Sequence, residues 1–221
     1  MHNSLNNLIE IEKEIQLKIQ ESNNLIKSPK IIAVSKTHPM ASILPLINHG
    51  HLDYGENKVQ EAIEKWESLK SDFSHINLHM IGKLQSNKVK QAIALFDYIH
   101  SLDNLKLAEK ISNEQIKQNK KVKIFIQINI GDESQKNGVS FLNIDKFYKH
   151  CIHDLGLNII GFMCLPPNNT NVSSYFLKMQ NIKTNSNLHE LSMGMSNDYL
   201  EAIKFQSTYL RIGSKIFGQR N

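Results

Sequence analysis

Cysteine and arginine are scarce in this 221-residue chain: Cys151, Cys164, Arg211 and Arg220 are all there are. Two cysteines and no secretory leader give no reason to pair, which argues against a disulfide-stabilised secreted scaffold and for a reducing compartment. The chain carries 26 basic and 21 acidic side chains, and its net charge of +5 comes from lysines spread among acidic neighbours. A specific nucleic-acid reader would concentrate arginine and aromatics on one face. No apolar stretch approaches the roughly 18 residues of a membrane span. Glu10, Glu12 and Glu14 stand where a secretory segment would need an apolar run. The expected protein is cytoplasmic, with neither nucleic acid nor membrane as a partner. Also missing are internal repeats, low-complexity tracts and linkers, so residues 1–221 are expected to form a single domain.

What is present is 40% apolar residues, ample for a sizeable core. Leu8, Ile11, Ile15 and Ile19 recur at steps of three and four, which predicts an amphipathic helix over 2–27, ended by Ser28-Pro29. Eight short β-type runs follow, at 30–35, 51–54, 76–81, 98–100, 122–130, 158–163, 188–191 and 209–212, each succeeded by a helix-like segment. That alternation predicts an α/β fold, a single (β/α)8 TIM barrel preceded by an N-terminal helix. A doubly wound sheet is the alternative. It fits less well, because Ser35-Lys36-Thr37-His38-Pro39 follows the first run where a dinucleotide fold would place its glycine-rich fingerprint.

Strand parity assigns faces. Val122, Ile124, Ile126, Ile128 and Ile130 share one side and should meet the helices, leaving Phe125, Gln127 and Asn129 inward. In the last run Leu210 and Ile212 share one parity, so Tyr209 and Arg211 point the other way, into the barrel. An arginine there is costly to bury without acceptors, which makes Arg211 a site candidate. His79 lies on the third run and also has a route inward.

Lys36 follows the buried-type run Ile31-Ile32-Ala33-Val34-Ser35, where apolar surroundings disfavour the ammonium form and favour an amine able to form a Schiff base. The alternative is a lysine that snorkels from the barrel rim. Two small, flexible openings to helices come after the seventh and eighth runs. In Met193-Gly194-Met195-Ser196, the glycine loosens a turn and Ser196 takes the N-cap position, and Gly213-Ser214-Lys215 is the other opening. Loops in those places form the recurrent anion site of this fold, although both serines could be plain caps. His150 and His153 share a helix face without a matching ligand pair, which reads as a solvated helix end rather than a metal site, and no metal is expected. Cys164 reads as a small buried residue.

The stretches IIAVSKTHP, DYGENKVQEA, HMIGKLQSNK, QINIGDESQKNG, GFMCLPP, LSMGMSNDYLEAI and RIGSKIFGQR, spread from residue 31 to 220, resemble the pyridoxal phosphate homeostasis proteins, the YggS/PROSC family. Those proteins are similar to the barrel domain of alanine racemase. The resemblance implies pyridoxal 5'-phosphate as cofactor, Lys36 as the Schiff-base lysine, Asn57 beside the cofactor ring, Ser196, Gly213 and Ser214 on the phosphate, and Arg211 facing the pyridine nitrogen. Leu78-His79-Met80 departs from a more aromatic pairing around the histidine, Lys83 stands where a small residue or proline is common, and Ser214 replaces a frequent threonine while keeping the hydroxyl.

An arginine partner leaves the ring nitrogen without a proton, and a racemase needs a second acid/base for which one barrel leaves no room. The implied function is therefore intracellular handling of the cofactor, held reversibly on Lys36 without efficient turnover and with no catalytic residues assigned. The expected partners are the cofactor itself and, transiently, apo-enzymes that depend on it, with a monomer as the resting state. The competing readings are a weak amino-acid racemase, a Schiff-base lyase acting on a phosphorylated substrate, and a partner-binding scaffold.

Overall fold

A computed structural model describes residues 3–21, 27–132, 137–167 and 171–219. Eight parallel strands, β1 (Lys30–Val34), β2 (Asp53–Glu56), β3 (Asn77–Met80), β4 (Tyr98–Leu102), β5 (Lys123–Ile128), β6 (Ile159–Cys164), β7 (Glu190–Met195) and β8 (Tyr209–Ile212), close in sequence order into a barrel. Closure comes from β1 pairing with β8, with Ile32 opposite Arg211. The leading helix α1 (Asn3–Glu21) precedes the barrel. The helices α2 (Met40–Asn48), α3 (Val59–Trp66), α4 (Leu69–Asp72), α5 (Val89–Leu95), α6 (Leu105–Lys117), α7 (Ile144–Lys149), α8 (Val172–Thr184), α9 (Tyr199–Lys204) and α10 (Ser214–Phe217) alternate with the strands. None of the described helices is long and apolar enough to cross a membrane.

The apolar spacing of α1 acts as its periodicity implies. Leu8, Ile11, Ile15 and Ile19 are all buried, each contributing about 1.5–3 kcal/mol of apolar burial. The helix is described as far as Glu21, and residues 22–26 of the expected longer helix lie outside the described residues. Polar contacts pin α1 to the far end of the chain: Asn7 Nδ2 donates to Ile216 O at 2.9 Å, and Lys215 Nζ lies 2.6 Å from Glu14 Oε2. The first helix thus braces the last, which opens directly from β8.

Parity holds. Ile124, Ile126, Ile128, Leu210 and Ile212 pack in the layer between sheet and helices. Phe125 and Tyr209 meet Ile32, Tyr98 and Met163 in a separate cluster filling the barrel. The seventh strand differs from expectation. It runs to Met195 rather than stopping near Leu191, and Gly194, expected to loosen a turn, lies inside it at φ +91°. The pairing of β7 with β8 shifts register between Ser192 and Met195, so the glycine serves a bulge. A Cβ on Gly194 would come 2.7 Å from that of Ala202, so close helix packing also requires it.

Candidate functional site

The C-terminal ends of the strands open into a cavity of about 1090 Å³, lined by Lys36, Asn57, Ser196, Arg211, Gly213 and Ser214 together with residues of the loops after β3 and β6. All six sequence candidates therefore meet in one place, at the end of the barrel where this architecture builds its sites.

Lys36 sits half-buried in the turn after β1, and its neighbours are held from behind by α3. The Ser35 hydroxyl donates to Glu56 Oε1 at 2.7 Å, and the same oxygen accepts from Lys65 Nζ at 2.9 Å and Trp66 Nε1 at 3.0 Å. Lys65 Nζ also donates to Ser35 O at 2.9 Å, while the Thr37 N–H donates to the Glu61 carboxylate. Burial opposes the charge on Glu61, but the Thr37 N–H and Lys65 outweigh it and hold the carboxyl below its usual range. Thr37 has φ +63°, a left-handed conformation that a β-branched residue adopts only when its surroundings impose it. The segment GENKVQEAIEKW thus forms a clamp around both peptide units flanking Lys36. Sequence reasoning gave Glu56, Glu61 and Lys65 no role, because their contacts exist only once β2 and α3 are folded against β1.

Asn57, just past β2, presents a buried Oδ1 with no hydrogen-bond partner among the described residues. Gly82 passes behind it. A Cβ at Gly82 would lie 2.3 Å from Asn57 O and 2.8 Å from its Cα, so only glycine lets the β3 loop approach. Gly82→Ala must displace backbone rather than a flexible side chain, and should cost about 1–3 kcal/mol. Urea unfolding checks this, and an unchanged midpoint would mean that the contact does not constrain Asn57.

Arg211 is buried and turned inward, as its parity requires. Nη1 donates to Ser192 Oγ at 2.5 Å and Nη2 to Cys164 O at 2.8 Å. Burial lowers its pKa, offset in part by Cys164 and Asp198, yet a guanidinium stays charged. Two of its five N–H donors meet these partners, which leaves capacity toward the cavity it lines. The Cys164 thiol is buried and pushed up to about 12, the behaviour of a packing residue rather than a nucleophile.

The two serine loops come together differently from the capping expectation. Asp198, not Ser196, precedes α9, and its Oδ1 accepts the Met195 N–H at 2.6 Å. Ser196 reaches across instead, its Oγ accepting the N–H groups of Gly213 and Lys215, each at 3.3 Å. The reason is the longer β7, which carries Ser196 past the start of the turn and over the opening of α10. Gly213 precedes α10 at φ −115°, without left-handed strain, and Ser214 is the first helical residue. A Cβ at Gly213 would press on that of Val34 at 3.3 Å, so its constraint is crowding against β1. Of the departures from the family pattern, Lys83 extends along the rim to Asn137 Oδ1 at 2.7 Å, while Leu78 and Met80 are buried in the outer core. Far from the cavity, His150 Nδ1 lies 2.6 Å from Asp154 Oδ2 on an exposed helix end.

Residues 12–221 match the family model described as alanine racemase, N-terminal domain. The pyridoxal phosphate homeostasis protein of Haemophilus influenzae is 34% identical over 99% of this chain and 97% of its own length. The protein of that name from Aquifex aeolicus is also 34% identical, over 99% of both. The chain belongs to this family. Among solved structures, PipY of Synechococcus elongatus without pyridoxal phosphate superposes with a TM-score of 0.80 at 30% identity, over 92% of this chain and all of that one. PipY with pyridoxal phosphate bound gives 0.79 at 29%, with the same coverage. Alanine racemase of Clostridium difficile shares the fold, with a TM-score of 0.67 at 14% identity over 57% of that longer chain. Family membership agrees with the resemblance drawn from the motifs.

Proposed function

We propose that this protein binds pyridoxal 5'-phosphate at the C-terminal end of its barrel and serves cofactor homeostasis, holding and releasing it without efficient turnover. The observation that carries the reading is the convergence of Lys36, Asn57, Ser196, Arg211, Gly213 and Ser214 on one cavity. PipY, a family member, has a structure with this cofactor bound. When bound, the cofactor supplies an aldehyde that condenses with primary amines and a ring that withdraws electrons. The residues present fit it. Lys36 offers the amine, presented by a turn that the α3 clamp holds in a strained shape. The unpartnered Asn57 Oδ1 is an acceptor with no protein donor to satisfy it. The Ser196 and Ser214 hydroxyls and the Ser214 N–H that opens α10 make a donor cluster of the kind phosphate takes, while the Gly213 and Lys215 N–H groups meet Ser196 Oγ and orient it. Arg211 donates from inside the barrel and has no acceptor atom to offer.

Titration with pyridoxal 5'-phosphate, followed by absorbance, tests the reading. Unphosphorylated pyridoxal should bind far more weakly, and equal affinity for the two would show the phosphate cradle to be misassigned. Ser196→Ala and Ser214→Ala each remove a hydroxyl but leave the backbone N–H groups. Each should cost about 1–3 kcal/mol of cofactor affinity.

A further inference from the structure

The barrel interior is not wholly apolar. Asp53, His79, His100, Ser192 and Arg211 are all buried and come from β2, β3, β4, β7 and β8. They make one continuous run of contacts: Asp53 Oδ1 to His79 Nε2 at 2.9 Å, His79 Nδ1 to His100 Nε2 at 3.0 Å, His100 Nδ1 to Ser192 Oγ at 2.9 Å, and Ser192 Oγ to Arg211 Nη1 at 2.5 Å. The rings are wedged in place, His79 stacked on Tyr98 at 4.2 Å and His100 on Phe125 at 4.3 Å.

The ends of the run fix its middle. Arginine can only donate and an ionised carboxylate can only accept. Burial opposes the charge of Asp53, but the hydrogen bond from His79, helped by the charge of Lys30, outweighs it and holds the carboxyl below its usual range. Burial holds His100 well below the usual histidine range and lowers His79 as well, against the pull of Asp53. With both rings neutral, only one arrangement uses every group. Arg211 donates to Ser192, Ser192 to His100 Nδ1, His100 Nε2–H to His79 Nδ1, and His79 Nε2–H to Asp53. Every donor points the same way, from the cation at the cavity to the carboxylate in the depth of the barrel. Among the described residues, Arg211's own hydrogen-bond partners are a hydroxyl and a carbonyl; Asp198 supplies a nearby opposing charge, and the run of contacts ties the guanidinium to a second carboxylate, Asp53.

We infer that Asp53, His79, His100 and Ser192 are positioning residues: a one-way hydrogen-bond chain that holds the Arg211 guanidinium on the ring nitrogen of the bound cofactor. The inference rests on the proposed pyridoxal phosphate reading and adds what selects the ring rather than the phosphate. It predicts discrimination between pyridoxine 5'-phosphate and 1-deazapyridoxine 5'-phosphate, in which a C–H replaces the ring nitrogen. Neither ligand carries the aldehyde, so Lys36 chemistry does not enter.

Wild-type protein should prefer the nitrogen-bearing ligand by about tenfold or more, the scale of a hydrogen bond to a charged group. His100→Phe keeps an aromatic ring against Phe125 but breaks the chain, and should bring that preference close to unity with affinity for the deaza ligand unchanged. His100→Gln supplies an amide N–H2 donor and a carbonyl acceptor and should retain much of it. Equal losses for both ligands in His100→Phe, or an undiminished preference, would overturn the positioning role. Failure of wild type to bind either ligand would overturn the cofactor reading instead. Nitrogen-15 spectra of the unmutated protein at pH 7 provide a test independent of folding in the variants. Both rings should be neutral and protonated at Nε2, and an Nδ1–H tautomer or a charged ring at His79 or His100 would break the proposed direction.

Discussion

Lys36→Ala should abolish covalent capture of pyridoxal phosphate while leaving a weaker, reversible complex. In the wild type, borohydride reduction followed by peptide mass analysis should find the pyridoxyl mass on the peptide containing Lys36. The variant should show none there, a complete loss rather than a graded one, because no other residue supplies an amine at that turn. Lys36 is the one lysine among the described residues lining the cavity, and Lys65, Lys215 and Lys83 are engaged elsewhere, with Glu56 and Ser35, with Glu14 and Tyr199, and with Asn137. The cradle of the Ser196 and Ser214 hydroxyls and the Ser214 N–H remains intact in Lys36→Ala, so pyridoxine 5'-phosphate should bind the variant about as well as the wild type. Pyridoxyl mass confined to Lys83 or Lys215 in the wild type would remove Lys36 from the assignment.

The dependence on this one turn shows which features could be read from residue order. The eight strands were legible because a parallel barrel repeats one pattern of short apolar run and helix-like segment. Parity then aimed Phe125, Tyr209 and Arg211 inward without any knowledge of their partners. Parity also contained more than was drawn from it. Tyr98 and His100 alternate with the outward Ile99 just as Tyr209 alternates with Leu210, so His100 could have been set beside His79 from sequence. Two kinds of feature were not legible. The end of β7 was hidden because Ser192-Met193-Gly194 has the composition of a turn, and only pairing with β8 turns that glycine into a bulge. The α3 clamp was hidden because its meaning lies in contacts between strands and a helix. Glu61 and Lys65 make an i,i+4 pair on α3, and nothing local says that they also grip the peptide units on either side of Lys36.

The same contacts bear on whether the site turns substrate over. Exchange of an amino acid's α-proton needs an acid/base on each face of the reacting centre for racemisation, and at least one in reach for simple exchange. The titratable side chains lining the cavity, among the described residues, are Lys36, His38, Asp198 and Arg211. His38 stacks on Phe217 at 4.8 Å and belongs to the same loop as Lys36, so it adds no group from across the cavity. Asp198 accepts a backbone N–H in the turn after β7. Arg211 donates and holds no proton that it can readily give up. The clamp further restrains the turn that a working acid/base would have to move. Lys36 alone could serve simple exchange, but in the proposed site Arg211 faces the ring nitrogen, leaves it unprotonated and so makes the ring a poor electron sink. Deuterium incorporation at the α-carbon of alanine or serine in heavy water should therefore stay near the uncatalysed background in both wild type and Lys36→Ala. Transfer of pyridoxal phosphate from the wild type to an apo-enzyme should be measurable under the same conditions. Exchange that depends on Lys36 and reaches about 1 per second or faster, the range of ordinary enzymes, would replace homeostasis by catalysis as the reading of this site.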